Sequence, residues 1–436
     1  MSLPRRPRQR QFECLAPLTP SRRCVRYGAE PGDSAHPTLL SQEQRLILRI
    51  WTPRRLEIAM TRQTRRGTFW PTPLQQQLLV AALADPPEAV AAWRALRPSL
   101  TFDELEPGSF ELMPLVYRQL TAGGADDDLL SRLKGVYRKS WLVHNLLLER
   151  TKDTALALEE AGIRALFIEG APLAVRYYPE PGLRYTSNVD VLVDDGALPA
   201  ATAALAQASW FARPQMGAGF GGRHHLFDRD GHACVVRPSL AVDFVEPGDR
   251  AGSHAPLWEA AKRQEINGVP ILVPQSTDAL LGVCVSGARR LPVPSTQWIV
   301  DATMILRADD VDWGRLVQIA VATGQAVRLR DSLSYLSTLP APRPPRDAIE
   351  QLAAVRSSRR ARLAHRAASG SHRRLGALPT IVSEHLAATA HESPVRAVAA
   401  FPDHLRRRWN VAHGWQLPFA AGRRAIRIFR GHDGTA

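Results

Sequence analysis

Lysine is nearly absent from this chain: 4 residues against 52 arginines in 436. Cysteine is as scarce, and Cys14, Cys24, Cys234 and Cys284 never fall in a C-x-x-C spacing. That excludes a zinc-ribbon pattern and a disulfide framework. No run of eighteen apolar residues occurs, so no transmembrane helix is expected. The N-terminus is arginine-rich but lacks the apolar stretch of a secretory signal, which points to a cytoplasmic protein. No solenoid-type repeat is visible either. What is present is length enough for two or three domains with ample core.

The net charge of +14 is unevenly placed. Residues 1–70 carry 14 arginines against 5 acids, and residues 351–436 carry 15 against 4, so the middle is net acidic. Basic ends of this kind suit nucleic acid or an anionic membrane. The competing reading is compositional: arginine replaces lysine throughout, as GC-rich coding produces, and such runs are commonly solvated faces.

Residues 1–59 are rich in Pro, Arg, Ser and Gln without helical or alternating period, and read as a disordered or mis-assigned extension. Residues 60–162 read as a helical region, with short helices over 74–83, 87–96 and 110–120. A long amphipathic helix follows over 127–161. An α/β core of four or five strands is expected over 163–275, with a short helix at 257–262 and a last edge strand at 269–273. Residues 276–368 read as a C-terminal helical domain and 369–436 as a basic tail.

The densest information lies in LFIEGAPLAVRYYPEPGLRYTSNVDVLV, residues 166–193. A short apolar strand ends at Gly170, and Pro172 then sits in a first helical turn, where its missing N–H costs nothing. Pro179, Pro181 and Gly182 stop that helix, and Val189 to Val193 reads as a buried strand carrying one acid, Asp190. A glycine between strand and helix lets an anionic group approach free backbone N–H groups. A carboxylate on the neighbouring strand would face that anion through a divalent cation.

Gly170, Tyr178, Gly182, Leu183, Arg184, Ser187, Asp190, Leu192 and Val193 stand in the order and spacing of a known pattern. In it a Lys-Gly is followed by a tyrosine, Gly-Leu-Arg and Asp-Ile-Asp-Leu-Leu-Val. The chain thereby resembles the uncharacterised bacterial nucleotidyltransferases of the polymerase-β-like superfamily. Weaker likeness runs from Phe69 to Trp415 and includes Asp312, Trp313 and Leu316 as an Asp-Trp-x-x-Leu motif. The resemblance implies an α+β fold, a nucleotidyltransferase-like mixed sheet flanked by N-terminal and C-terminal helical regions. It also implies transfer of a nucleotidyl group from a nucleoside triphosphate, with Mg2+ or Mn2+, to a hydroxyl on a small molecule, peptide or protein. Carried over, Asp190 and Asn188 would be the catalytic pair and Asp190 the metal ligand. Gly170, Ala171, Arg184 and Ser187 would hold the nucleotide.

The chain departs from the pattern at three places. Glu169 stands for the lysine, Asn188 for the first aspartate of the pair, and Val235 for the third carboxylate. Arg237 stands where the pattern has a histidine. Asp243 could supply the missing acid as a metal ligand if the strand register differs. Two-metal transfer needs several carboxylates, so the alternative is a catalytically inactive protein acting as a nucleotide- or partner-binding module. Arg184 is then expected to pair with Glu169 or Asp190. His224, His225 and His232 with Asp228 and Asp230 suggest a metal cluster, but adjacent strand histidines face opposite sides and Asp-Arg-Asp-Gly is ordinary turn chemistry. Trp298, Trp313 and Trp415 fall in helical periods and read as core.

Overall fold

The computed structural model describes residues 70–212, 224–237, 255–287, 295–340, 342–355, 381–382, 385, 393–409, 411 and 413–430. The expected N-terminal extension and Asp243 lie outside the described residues. Helices α1 (Pro73–Leu83), α2 (Pro86–Leu96) and α3 (Met113–Ala122) come first. Thr72 and Gln75 open α1 with a reciprocal capping box, each side chain accepting from the other's backbone N–H. The long helix α4 (Leu130–Glu160) follows. Asp127 ties its start to α2, accepting from the Leu129 amide at 2.8 Å and from the Trp93 indole at 2.9 Å.

The sheet has seven strands: β1 (Ala165–Glu169), β2 (Asn188–Val193), β3 (Phe211–Ala212), β4 (His224–Phe227), β5 (Ala233–Arg237), β6 (Lys262–Ile266) and β7 (Val269–Val273). Their order is β3-β4-β5-β2-β1-β7-β6. The sheet is mixed: β2 runs antiparallel to β1 and parallel to β5, and β1 runs parallel to β7. Helix α5 (Ala171–Tyr177) leads from β1 toward β2, and α6 (Leu198–Gln207) follows β2.

Period-2 alternation divides the core. Phe167, Val189, Val191, Val193, Cys234 and Val236 pack on one face with Leu147 and Leu158 of α4 and Leu205 of α6. Leu166, Ile168 and Leu192 face the other way, against Leu257 and Trp258. Each large apolar side chain buried here contributes about 1.5–3 kcal/mol. A β-bulge between Phe167 and Glu169 sets Glu169, rather than Ile168, opposite Asp190.

The sheet departs from expectation at its edges. The two strands beyond the expected five are β3 and β6. The helix at 257–262 is instead Ala255–Glu259, here α7, and Lys262 opens β6. Residues 269–273 therefore form β7, between β1 and β6, and not an edge strand. Asn267 and Gly268 have φ of 47° and 81°, the two left-handed residues of a tight hairpin that pairs β6 with β7. The largely polar stretch KRQEI hid a strand because an edge strand has little to bury.

Beyond the sheet lie α8 (Ser276–Gly287), α9 (Gln297–Ala308), α10 (Trp313–Ala322), α11 (Ala326–Leu336) and α12 (Arg346–Ala354). The Asp-Trp-x-x-Leu motif is a structural joint. Asp312 caps α10 by accepting from the Arg315 amide at 2.9 Å, and Leu316 is wholly buried. Helices α13 (Pro394–Arg408) and α14 (Leu417–Arg430) close the described chain. Among the described residues no helix is long and apolar enough to cross a membrane.

Candidate functional site

Gly170 joins β1 to α5 with φ 79° and ψ −132°. A Cβ there would stand 2.7 Å from the Asn188 carbonyl oxygen, so only glycine fits both the backbone conformation and the close approach. This turn brings Gly170 and Ala171 beside the start of β2, where Ser187, Asn188 and Asp190 follow one another. Ser187 is exposed, and its hydroxyl donates to Asn188 Oδ1 at 2.9 Å.

Asp190 is 1% exposed on a strand with neighbours on both sides. Its lateral partners are Glu169 on β1 and Val235 on β5. Val235 is thus directly beside the acid. The charge of Asp190 is met from two directions. Arg237 Nη2 donates to its Oδ1, and Asn188 Nδ2 donates to its Oδ2. Arg237 Nη1 also stands 3.6 Å from Glu169 Oε1, which accepts the Ser286 hydroxyl at 3.0 Å. One buried guanidinium therefore serves two carboxylates on neighbouring strands.

Arg184 is engaged elsewhere. Its Nε and Nη2 each donate to a separate oxygen of Asp301 on α9, both at 2.8 Å. The expected pairing with Glu169 or Asp190 is replaced by this fork, because α9 brings a buried acid squarely into the plane of the guanidinium. Tyr178 donates to Asp301 Oδ1 at 2.6 Å, and Gln297 donates to the same oxygen at 3.0 Å. Burial opposes the charge on Arg184, but Asp301 outweighs it and holds the guanidinium above its ordinary pKa. Burial and then the Asp301 charge push the Tyr178 phenol well up.

Two further groups border this pair. Burial raises Glu111 to about 7, against the hydrogen bond from Ser295 at 3.0 Å. Burial, helped by the charge of Arg184, lowers His144 on α4 to about 4. Gly182 lies so tightly against α4 that a Cβ would meet Trp141 Cβ at 2.8 Å. The Gly-Leu-Arg loop is in this way pinned to α4 on one side and to α9 on the other.

A small cleft of about 80 Å3 opens between the end of β1 and helices α8 and α9. Glu169, Arg184, Ser286, Gln297, Trp298 and Asp301 contribute to its wall. Of the six residues expected in one cleft, only Arg184 lines it. Gly170, Ala171, Ser187, Asn188 and Asp190 adjoin it through the strand ends. Asp301 and Ser286 were not legible as site residues, nor was the pairing of Arg237 with Asp190 and Glu169. The clearest missed signal was Asp301, a lone acid inside the apolar run Trp298–Ile305.

The hairpin histidines separate as the strand geometry requires, with His224 and His225 consecutive on β4. Asp228, Asp230 and His232 do approach one another, with possible ligand atoms within 4.8 Å. His232 Nδ1 is 3.0 Å from Asp228 Oδ2, and Arg150 Nε is 3.4 Å from that same oxygen. These contacts close a five-residue turn.

No curated protein and no solved structure matches the chain. A family model described as an uncharacterised nucleotidyltransferase matches residues 110–339, from α3 through the sheet to the end of α11. That span covers more than half of the chain and holds both arginine–carboxylate pairs, so the chain belongs to this nucleotidyltransferase family.

Proposed function

We propose that this protein keeps the nucleotidyltransferase fold as a partner-binding module and does not perform metal-dependent nucleotidyl transfer at Asp190. The observation that carries this reading is the Arg237 guanidinium on the Asp190 carboxylate. A divalent cation bridging protein and phosphate needs several carboxylates aimed at it. Here Asp190 faces a fixed positive charge and an amide, Val235 offers no ligand atom, and Glu169 shares the same arginine. A divalent cation at that point would be repelled by the guanidinium. This donor set does not fit Mg2+ or Mn2+.

A triphosphate is disfavoured on two further grounds. Sites for drug-sized ligands usually enclose roughly 300–1,000 Å3, against about 80 Å3 in this cleft. Its two carboxylates, Glu169 and Asp301, also leave little free positive charge for phosphate, since Arg184 is committed to Asp301. The cleft is lined instead by Ser286 and Gln297, whose donors already serve Glu169 and Asp301 and whose oxygens can still accept, beside Trp298 and Val283. That lining suits a small polar group presented by a partner.

The test is incubation of the whole protein with Mg2+ or Mn2+ and labelled nucleoside triphosphates. Neither transfer nor pyrophosphate release is expected. Arg237→Gln should gain measurable Mn2+ binding by calorimetry, because the freed Asp190 and Glu169 then face each other. Ready transfer by the unaltered protein, abolished by Asp190→Ala, would overturn the proposal.

The family match itself favours a second reading, nucleotidyl transfer from a nucleoside triphosphate to a hydroxyl acceptor. Gly170, Ala171, Arg184 and Ser187 would then hold the nucleotide, Asn188 would assist Asp190, and Asp243 would be the first candidate for a further metal ligand.

A further inference from the structure

The strongest unexplained feature lies at the other end of the molecule. Among the described residues the four most exposed large apolar side chains are Val395 at 79%, Val398 at 75%, Trp415 at 67% and Phe419 at 64%. All four belong to α13, α14 or the short turn between them. Trp415, expected as core, is in fact at the surface. Its ring stacks near His413 at 6.4 Å and meets Phe419 edge-on at 6.3 Å. These residues sit in a strongly basic stretch: residues 394–430 contain eight arginines and a single acid, Asp403. On α14 the exposed Phe419 stands one helical turn before the exposed Arg423.

We propose that the α13–α14 segment is a membrane-surface anchor that lies on anionic lipid. Interfacial segments combine exposed Trp or Phe with many arginines, which is the composition found here. The charge selects the partner among those that could cover exposed apolar groups. A second copy of the chain would bring like charge against like charge. Nucleic acid would satisfy the arginines and could stack on Trp415, but exposed valines gain nothing from a phosphate backbone or a base edge. Val395 and Val398 gain only in an apolar medium, and the acyl boundary beneath anionic headgroups supplies both needs at once.

Flotation of the full chain with vesicles tests this. The protein should float with vesicles of phosphatidylcholine mixed with phosphatidylglycerol and stay behind with phosphatidylcholine alone, and raised salt should release it. Trp415→Ser with Phe419→Ser should weaken partitioning at least roughly tenfold. Val395→Ser with Val398→Ser is a second, independent variant expected to weaken it in the same direction. Each charge reversal among Arg396, Arg406 and Arg423 should cost about fivefold or more. All of these side chains are exposed or half-buried, so the melting temperature of each variant should match that of the parent. Failure to float with the anionic vesicles overturns the proposal. So does equal flotation with neutral ones, unchanged partitioning of both serine variants, or arginine-dependent binding to labelled nucleic acid without vesicle binding.

Discussion

Two buried arginines organise this protein, and they are used in opposite ways. Arg184 meets Asp301 one to one, in a flat fork with both distances at 2.8 Å and two neutral donors completing the acid. Arg237 serves two carboxylates, Asp190 and Glu169, on strands directly beside it. The first pair joins parts distant in sequence, the Gly-Leu-Arg loop and α9, and reads as a clamp. The second joins neighbours already held by the sheet, so the sheet does not need it. Under the proposed function, the Arg237 pair takes the place that a cation would hold beside Asp190.

The largest expected effect comes from breaking the clamp. Asp301→Ala leaves Arg184 buried with its two charge-assisted bonds gone, and should lower stability by about 3–5 kcal/mol in urea unfolding. Asp301→Asn retains part of the hydrogen bonding and should lose less. If Asp301→Ala melts like the parent, the contrast between the two arginines collapses.

Arg237→Gln should cost less, about 2–3 kcal/mol, because Asn188 still donates to Asp190 and the strands remain paired. Added Mn2+ should return part of that loss in a concentration-dependent way, since a ligand that binds only the folded state stabilises it. The same cation should leave Asp301→Ala unaffected. A Mn2+ response in both variants, or in neither, would show that the two arginines do not differ in this way.

The surroundings of Arg184 also make a pH signature. Glu111 has a folded pKa of about 7 against an ordinary 4.5, so the folded state holds its proton more tightly. Its stabilising contribution is full below pH 4.5 and is lost as pH rises through 7, amounting to about 3 kcal/mol. His144 has a folded pKa of about 4 against 6.5, which gives the reverse slope: full stability above pH 6.5, lost as pH falls toward 4. Glu111→Gln should therefore expose a stability that rises from pH 4 to 6.5. A profile unchanged by that substitution would detach Glu111 from the clamp. The smallest effect is at the α10 cap, where Asp312→Ala should cost about 1 kcal/mol with no change in the pH profile.

Much of this fold was legible because it rests on local rules. The strand–Gly170–helix turn, the stop at Pro179 to Gly182 and the apolar β2 all follow from residue type and spacing. So does the long α4, whose limits agree with expectation to within a few residues. The edge strands were not legible, because β6 is polar and β3 only two residues long. The Asn267-Gly268 turn was nonetheless a readable signal. At the site, the sequence singled out Asp190 and Val235, and the strand register sets the two side by side. The partners of the charges were beyond it. Asp301 lies more than a hundred residues from Arg184, and no periodicity within either segment announces that they meet. Trp415 was misread because amphipathic spacing reports that a helix has an apolar face without reporting what covers it.

The pairing of Leu166 with Leu272 carries a consequence for the order in which the molecule is made. During synthesis β1 emerges about a hundred residues ahead of its neighbour β7, while α4 is already complete behind it. Until β7 arrives, β1 has one open edge able to recruit any extended strand nearby. Closing so distant a pair is slow compared with forming the helices on either side. A nascent chain stopped before residue 269 would thus be rich in finished helix yet sticky along one strand. Through the window between the synthesis of β1 and that of β7 this edge stays open.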